Sequence, residues 1–342
     1  MSLPYILLTT LWLSLIAYTV LGGADYGAGF WDLFAFGPQA QRQQNLIDQA
    51  LGPVWEANHV WLIFLVVGLF SAFPGPFAVL VIVLFIPLTL ALIGVVLRGS
   101  AFVFRTHGLR AEKPALRIWS RVFSVSSVIT PFFLALSAAA VASGQIRVGT
   151  GPVQTNLGSL WLTPFTLTIG FMAIALCATL AAIYLTVEAA NNKEYELAEA
   201  FRWRGLIAGA VTAVLGALGL LLAPSWAPIL WSGMLDHALP LVIATMVIGL
   251  ATAATLFFRY YPIARLLIAA ESAFLLGSWG VSQIPYLIPP DVTVDGGAGA
   301  PSTLLLLLIG VIIGMVLVIP SIWLLFYISK LRNSVGLFEK GP

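Results

Sequence analysis

Long segments without charged side chains recur along this whole chain. The segment 304–325, for example, contains neither an acidic nor a basic residue. A helix of about 20 apolar residues crosses the hydrocarbon core of a bilayer and satisfies its own backbone hydrogen bonds there. Hydrophobic residues make up 60% of the sequence and charged residues only 9%, whereas soluble domains carry about 25% charged residues. The sequence therefore predicts an all-α polytopic membrane protein.

Nine segments are long and apolar enough to be predicted as transmembrane helices. They cover residues 5–34, 53–73, 76–104, 118–142, 159–189, 205–223, 237–258, 263–287 and 302–329. The short connection PGP at 74–76 predicts a tight hairpin between the second and third segments. The loop 143–158 is a plausible boundary between two bundles, and one continuous bundle is the alternative.

The basic residues divide unevenly between the two sides of these nine helices. Of the 16 Lys and Arg residues, fourteen fall in loops on one side, Arg147 alone falls on the other side, and Arg98 lies inside the third segment. Basic loops remain in the cytoplasm. The sequence therefore predicts that the N-terminus lies outside and the C-terminus lies in the cytoplasm.

A few ionisable side chains are predicted to lie inside the membrane, where a charge costs about 2.5–3.5 kcal/mol at a helix centre. Asp25 lies in the glycine-rich stretch LGGADYGAGF of the first segment. Glu56 and His59 lie three residues apart at the start of the second segment, and Arg98 lies near the end of the third. The predicted topology brings these four side chains to one depth, in the cytoplasmic half of the membrane.

Two interpretations of these four side chains are open. In the first, Arg98 neutralises Asp25 or Glu56 and locks three helices together. In the second, the side chains form a proton route, since a carboxylate beside a histidine can pass protons when its pKa lies near the working pH. Further polar side chains are expected to support either arrangement: Asn58, Asp32 and Glu271.

No metal or haem site is predicted in this chain. His59, His107 and His237 lie at the start of the second segment, in an inner loop and at an outer helix end, so they offer no facing pair of axial ligands. Cys177 is the one cysteine, which excludes disulfides and CxxC metal sites. If the protein serves redox chemistry, its cofactors are expected in a partner.

Four stretches carry most of the distinctive residues. They are GGADYGAGFWDLF at 22–34, GPVWEANHVWLIFLVVGLFSAFP at 52–74, LRGSAFVFR at 97–105 and WGVSQIPYLIPPDVT at 279–293. Together they resemble the motifs of subunit II of the cytochrome bd-type ubiquinol or menaquinol oxidases. The predicted span count agrees with this family along the whole chain.

The resemblance implies nine helices arranged as two four-helix bundles plus one extra helix, with residues 1–145 in the first bundle and 146–342 in the second bundle and last helix. It implies a partner, subunit I, which carries two b-type haems and one d- or b-type haem, whereas this chain binds none. The complex would oxidise quinol and reduce dioxygen to water. It would lie in a bacterial cytoplasmic (inner) membrane and take its protons from the cytoplasm.

The resemblance also assigns individual residues. Glu56, in the same motif as Trp55, is carried over to a proton path at the subunit interface, and Asp25 and Arg98 correspond to the family's first-helix acid and helix-three arginine. Two positions depart from the family pattern. His59 stands where relatives often have Glu or Gln, and Val103 stands where they often have an acid. If that acid guides protons, His59 is the candidate to replace it.

Two other classes of function are compatible with nine helices and intramembrane charges. One is a secondary transporter with a charged site in the inner half of the membrane, although transporters typically place their sites near the midplane between internal repeats. The other is a structural membrane scaffold. The sequence leaves open the partner's third haem, the quinone, small accessory subunits, dimerisation and a quinone or lipid bound as a structural element.

Overall fold

The structure, a computed structural model, describes the chain except residues 1, 52–53, 108–112, 149–159 and 335–342. The side chains of residues 51, 54–57, 106–107, 113–116, 319, 322–323 and 325–334 are also outside the description. Two predicted site residues, Trp55 and Glu56, therefore have a described backbone but no described side chain.

Helices account for nearly all of the described structure. Their bounds are α1 Leu3–Leu33, α2 Ala40–Leu51, α3 Val54–Ala72, α4 Pro74–Val83, α5 Phe85–His107, α6 Lys113–Ala142, α7 Pro164–Asn191, α8 Tyr195–Trp226, α9 Pro228–Gly233, α10 Leu239–Phe257, α11 Tyr261–Gln283 and α12 Pro301–Ser334. A π-helical segment, Met234–Ala238, joins α9 to α10. Strands β1 (Tyr286–Ile288) and β2 (Val292–Thr293) form a short antiparallel hairpin after α11.

The predicted all-α, multi-span architecture is confirmed. Within the described residues, eight helices are long and apolar enough to cross a membrane, and the count is nine if Asn58–Ala72 and Pro74–Val83 together form one span. This pair is bent by 117°. The PGP connection therefore turns the chain strongly, but without the complete reversal that a tight hairpin predicts.

The prediction of one continuous helix over 76–104 is wrong. The chain forms α4 and α5 instead, with a break at Leu84. Pro87 has no N–H to donate to the carbonyl of Val83, and its ring clashes with the preceding turn. The break therefore falls one turn before the proline, and Pro87 lies in the first turn of α5, where a missing N–H is tolerated.

The helix α2 is an element that the hydropathy pattern does not predict. It is too short and too polar to cross a membrane. Its residues Leu46 and Ile47 are nonetheless fully buried, in one cluster with Leu197 and Phe201 of α8. Helix α2 packs against α1, α7 and α3, and the burial of its apolar residues in these tertiary contacts stabilises it.

Helices α1 and α7 form the centre of the fold. Helix α1 packs against α3, α6, α7 and α11, and α7 packs against α1, α6, α8 and α11. Helix α12 packs on the outside, against α3 and α1. Because α1 and α7 come from different halves of the chain, the two halves share one core. The division into 1–145 and 146–342 stays a prediction.

Candidate functional site

The centre of the site is an ion pair between Asp25 on α1 and Arg98 on α5. The Nη1 and Nη2 atoms of Arg98 each lie 2.6 Å from a different carboxylate oxygen of Asp25. Asp25 is 1% exposed and Arg98 is 4% exposed. Charges this deeply buried are tolerated when they are paired and hydrogen-bonded. The bidentate geometry meets that condition for both ions.

Neighbouring polar groups complete the Asp25–Arg98 pair. Arg98 Nη2 also donates to the backbone carbonyl of Asp25 at 3.1 Å, and Nε donates to Ser127 Oγ on α6 at 2.8 Å. Asn58 on α3 donates through Nδ2 to Asp25 Oδ2 at 3.1 Å. The network therefore joins four helices, α1, α3, α5 and α6.

Two aromatic rings cover the guanidinium of Arg98. Its Cζ atom lies 4.7 Å from the ring centroid of Tyr26 and 4.7 Å from that of Phe123. Both distances are within the range of cation–π attraction. The arginine therefore faces protein rather than lipid, which explains how a charge is retained in an apolar helix.

A second ion pair repeats this arrangement along the same two helices. Asp32 follows Asp25 by seven residues on α1, and Arg105 follows Arg98 by seven residues on α5. Arg105 Nη1 lies 2.9 Å from Asp32 Oδ2, and its Nη2 lies 2.7 Å from Asp48 Oδ1 on α2. Seven residues of helix rise by about 10 Å, so the two pairs lie two turns apart.

Helix α6 serves both ion pairs. Ser120 and Ser124 donate to Asp32 Oδ2 at 3.2 and 2.9 Å. The ring of Phe123, which contacts Arg98, also lies 5.3 Å from Cζ of Arg105. Phe123 therefore packs against both arginines and separates the polar groups of one pair from those of the other.

Asp48 is the outermost acid of the second pair, and it lies on α2 rather than on a membrane-spanning helix. Its side chain is 43% exposed, whereas those of Arg105 and Asp32 are 12% and 1% exposed. Desolvation raises the pKa of the Asp48 carboxyl, and the charge of Arg105 acts in the opposite direction. The second pair thus runs from solvent to the buried interior.

The structure brings three of the predicted site residues into direct contact: Asp25, Asn58 and Arg98. Asp32 lies in the neighbouring pair. This geometry agrees with the first interpretation of the sequence, in which Arg98 neutralises Asp25 and locks helices together. The functional roles of these residues stay predictions.

The other predicted residues lie elsewhere or outside the described side chains. Trp55 and Glu56 lie in the first turn of α3, with side chains outside the description. His59 follows on the same helix and is partly exposed. Glu271 lies on α11, and its carboxyl faces α10, where a Cβ added to Gly249 would come within 3.0 Å of Oε1. Glu271 therefore belongs to the α10–α11 contact and not to the Asp25–Arg98 network.

Sequence reasoning missed the contribution of α6 to the site. Ser120, Ser124 and Ser127 are spaced by four and three residues, which places them on one face of a helix. This spacing within an otherwise apolar helix indicates a polar stripe. The equal separation of the two aspartates on α1 and the two arginines on α5 is a second signal of the same kind.

Comparison with known proteins identifies the family. The chain matches the family model for cytochrome bd terminal oxidase subunit II over residues 3–329. It is 26% identical over 339 residues to the putative cytochrome bd menaquinol oxidase subunit II of Bacillus subtilis (strain 168), which covers 95% of this chain and 96% of that relative. The cytochrome bd ubiquinol oxidase subunit 2 of the same organism is 32% identical over 129 residues, or 36% of this chain and 37% of that relative.

A solved structure has the same fold. A chain in the structure of bd oxidase from Geobacillus thermodenitrificans superposes with a TM-score of 0.77 at 22% sequence identity, covering 96% of this chain and 98% of that chain. None of these similarities supports the transporter alternative. Because the family model matches nearly the whole chain, this protein belongs to the cytochrome bd terminal oxidase subunit II family.

Proposed function

We propose that this chain is the haem-free subunit of a bd-type respiratory quinol oxidase, in which it supports subunit I and provides a proton path from the cytoplasm. Membership of the family makes the chain subunit II of such an oxidase. The complex oxidises quinol and reduces dioxygen to water, which consumes protons. The proposal assigns part of that proton delivery to the cytoplasmic half of this chain.

The redox centres are assigned to subunit I, as two b-type haems and one d- or b-type haem. The three histidines are His59 on α3, His107 at the end of α5 and His237 in the π segment, and the predicted topology offers no facing pair of them as axial ligands of a haem. Within the described residues, no group of three or more His, Cys, Asp and Glu side chains is arranged to hold a metal ion.

The observation that supports the proton path is the buried polar seam formed by Asp25, Asn58 and Arg98. Asn58 on α3 donates a hydrogen bond to Asp25, and Glu56 lies two residues before it on the same helix. A proton taken up at Glu56 would therefore enter at the end of α3 that also carries Asn58, which connects this helix to the Asp25–Arg98 pair. The positive-inside rule predicts that the basic loops near this end of α3 lie in the cytoplasm, which would then be the source of the protons.

Glu56→Leu and Glu56→Ala are expected to leave assembly largely intact and to slow dioxygen reduction by about 100-fold, the size of effect typical of a lost proton-transfer group. The measurement is quinol-dependent oxygen consumption by the purified complex, normalised to its haem absorbance. Glu188→Leu, which removes a partly buried glutamate of α7, is the matched control and should retain turnover. Normal turnover in a fully assembled Glu56 variant would refute the relay role.

The proposed orientation, in a bacterial cytoplasmic (inner) membrane, has the N-terminus outside and the C-terminus in the cytoplasm. Cys177 is buried, so a cysteine introduced at the surface can be labelled over a low background. Ser2→Cys is expected to react with a membrane-impermeant maleimide in intact spheroplasts, and Lys193→Cys only after the membrane is opened. The opposite pattern would reverse the proposed topology.

Three further features are proposed on the family resemblance alone. They are the two four-helix bundles with a boundary at 145/146, a quinone or lipid bound as a structural element, and a small accessory subunit. No residue of the described structure is assigned to the last two.

A further inference from the structure

We propose that this chain binds ordered water between α1 and α3, where the water bridges Asn58, Trp61 and the tyrosine pair Tyr18 and Tyr26. The site holds water whether or not protons pass through Glu56. Three groups between these two helices have a donor or an acceptor that forms no hydrogen bond with the described residues. One group offers an acceptor and the other two each offer a donor.

The first group is the amide oxygen of Asn58. Nδ2 of Asn58 donates to Asp25, but Oδ1 is buried and accepts no hydrogen bond from any described residue. Asn58 is only 2% exposed, so neither a lipid headgroup nor a partner subunit reaches this oxygen from outside. Buried polar atoms are nearly always hydrogen-bonded, to protein or to ordered water. This oxygen therefore requires a small internal donor.

The second group is the indole of Trp61. Trp61 follows Asn58 by three residues on α3, which places the two side chains on one helix face. Its Nε1 is buried and has no acceptor among the described residues. The ring packs against the cluster of Tyr18, Tyr26 and Cys177. An indole N–H can only donate, so this group requires an acceptor.

The third group is the tyrosine pair. The hydroxyl oxygens of Tyr18 and Tyr26 lie 3.0 Å apart, and the two side chains are buried. Each phenol carries one hydroxyl hydrogen, so the bond between them uses one hydrogen of the two. Neither hydroxyl forms another hydrogen bond within the described part of the chain. The pair therefore retains one donor beside the ring of Trp61.

Water is the ligand whose chemistry fits all three groups. It can accept from the indole N–H of Trp61 and from the remaining tyrosine O–H, and it can donate to Oδ1 of Asn58. Buried waters typically make about three hydrogen bonds to polar groups that would otherwise be unsatisfied. One water molecule, or two in a chain, meets this requirement, and Asn58 then connects the water to Asp25 and Arg98.

The direct test is cryo-electron microscopy of the assembled, unsubstituted oxidase at a resolution that shows ordered water. We expect density for water within about 3.2 Å of both Asn58 Oδ1 and Trp61 Nε1, the outer limit of a good hydrogen bond. A map that resolves other buried waters but shows none here would overturn the proposal. This measurement decides the question even if a variant fails to assemble.

The second measurement is thermal unfolding of Trp61→Phe in the assembled complex. If water is bound, the variant loses a hydrogen bond and its Tm should fall, by about 2 °C. Trp12→Phe is the matched control, because Trp12 Nε1 donates directly to the carbonyl of Leu276 at 2.8 Å, and the two variants should lose similar amounts. A dry site predicts the opposite sign, since the substitution then removes an unsatisfied donor.

An unchanged or raised Tm in Trp61→Phe, beside a lowered Tm in Trp12→Phe, therefore counts against bound water. Neither readout involves enzymatic turnover. Failure of the proton path, which is measured by the turnover of the Glu56 variants, is thereby distinguished from failure of the water site.

Discussion

Arg98→Met is expected to reduce the yield of assembled oxidase severely and to lower its free energy of unfolding by about 3–5 kcal/mol. This is the usual cost of removing one partner of a buried ion pair. The substitution leaves the Asp25 carboxylate, which is 1% exposed, without its bidentate partner. It also removes the donor to Ser127 Oγ and the cation that packs against Tyr26 and Phe123. The measurements are haem absorbance of membranes from cells expressing the complex and thermal unfolding of the purified oxidase.

Two comparisons isolate the ion pair as the cause. Arg147→Met removes an arginine that is 61% exposed and pairs with Asp291 at 3.0 Å, and its effect should stay within about 0.5 kcal/mol, as for most surface substitutions. The double variant Asp25→Leu with Arg98→Met should recover much of the lost stability, because replacing both partners of a buried pair is often neutral. Unchanged yield and melting in Arg98→Met alone would contradict the structural role of the pair.

Gly27→Ala is expected to destabilise the protein by about 3 kcal/mol, at the upper end of the usual cost of overpacking, and to reduce assembly accordingly. A Cβ at Gly27 would lie 1.8 Å from the carbonyl oxygen of Cys177 and 2.8 Å from Cβ of Ala181. The carbonyl belongs to the backbone of α7 and cannot rotate away, so α1 and α7 would have to separate. Small residues that allow this kind of close approach are typical of helix contacts in membranes.

The matched control for Gly27 is Gly99→Ala. Gly99 lies next to Arg98 on α5, and a Cβ there would meet nothing within 4 Å. This substitution should be neutral or stabilising by up to about 1 kcal/mol, because alanine is the better helix former. Normal yield and normal melting of Gly27→Ala would mean that α1 and α7 do not approach each other as closely as the structure indicates.

Hydropathy predicts the existence of the helices well and their ends less well. The predicted segment 205–223 is shorter than the helix that contains it, α8, which runs over Tyr195–Trp226. Hydropathy reports only the part of a helix that favours transfer into lipid, whereas α8 continues through the charged residues Glu196 and Arg202. The same limitation applies to α2, whose apolar face is too short to register as a span. At Leu84 the error has another cause, since a single proline interrupts an apolar run that is otherwise uniform.

The candidate site was predictable in part. The types and depths of Asp25, Asn58 and Arg98 follow from the motifs and from the alternation of the spans. The pairing of Asp32 with Arg105 and Asp48, and the serines of α6, do not follow from hydropathy. Glu271 is another acid in an apolar segment, so hydropathy alone does not distinguish it from these residues, but its side chain lies in the contact between α10 and α11.

The hydropathy of the chain is enough to establish a bundle of apolar helices whose few intramembrane charges face protein, because lipid solvates neither free backbone groups nor charges. The pairing of Arg98 with Asp25, in contrast, is a result of helix packing. That choice depends on the rotation of each helix about its own axis and on how closely α1 approaches α7 at Gly27. A helix that is apolar on all sides carries no amphipathic pattern from which its rotation could be read, so packing alone selects the partner.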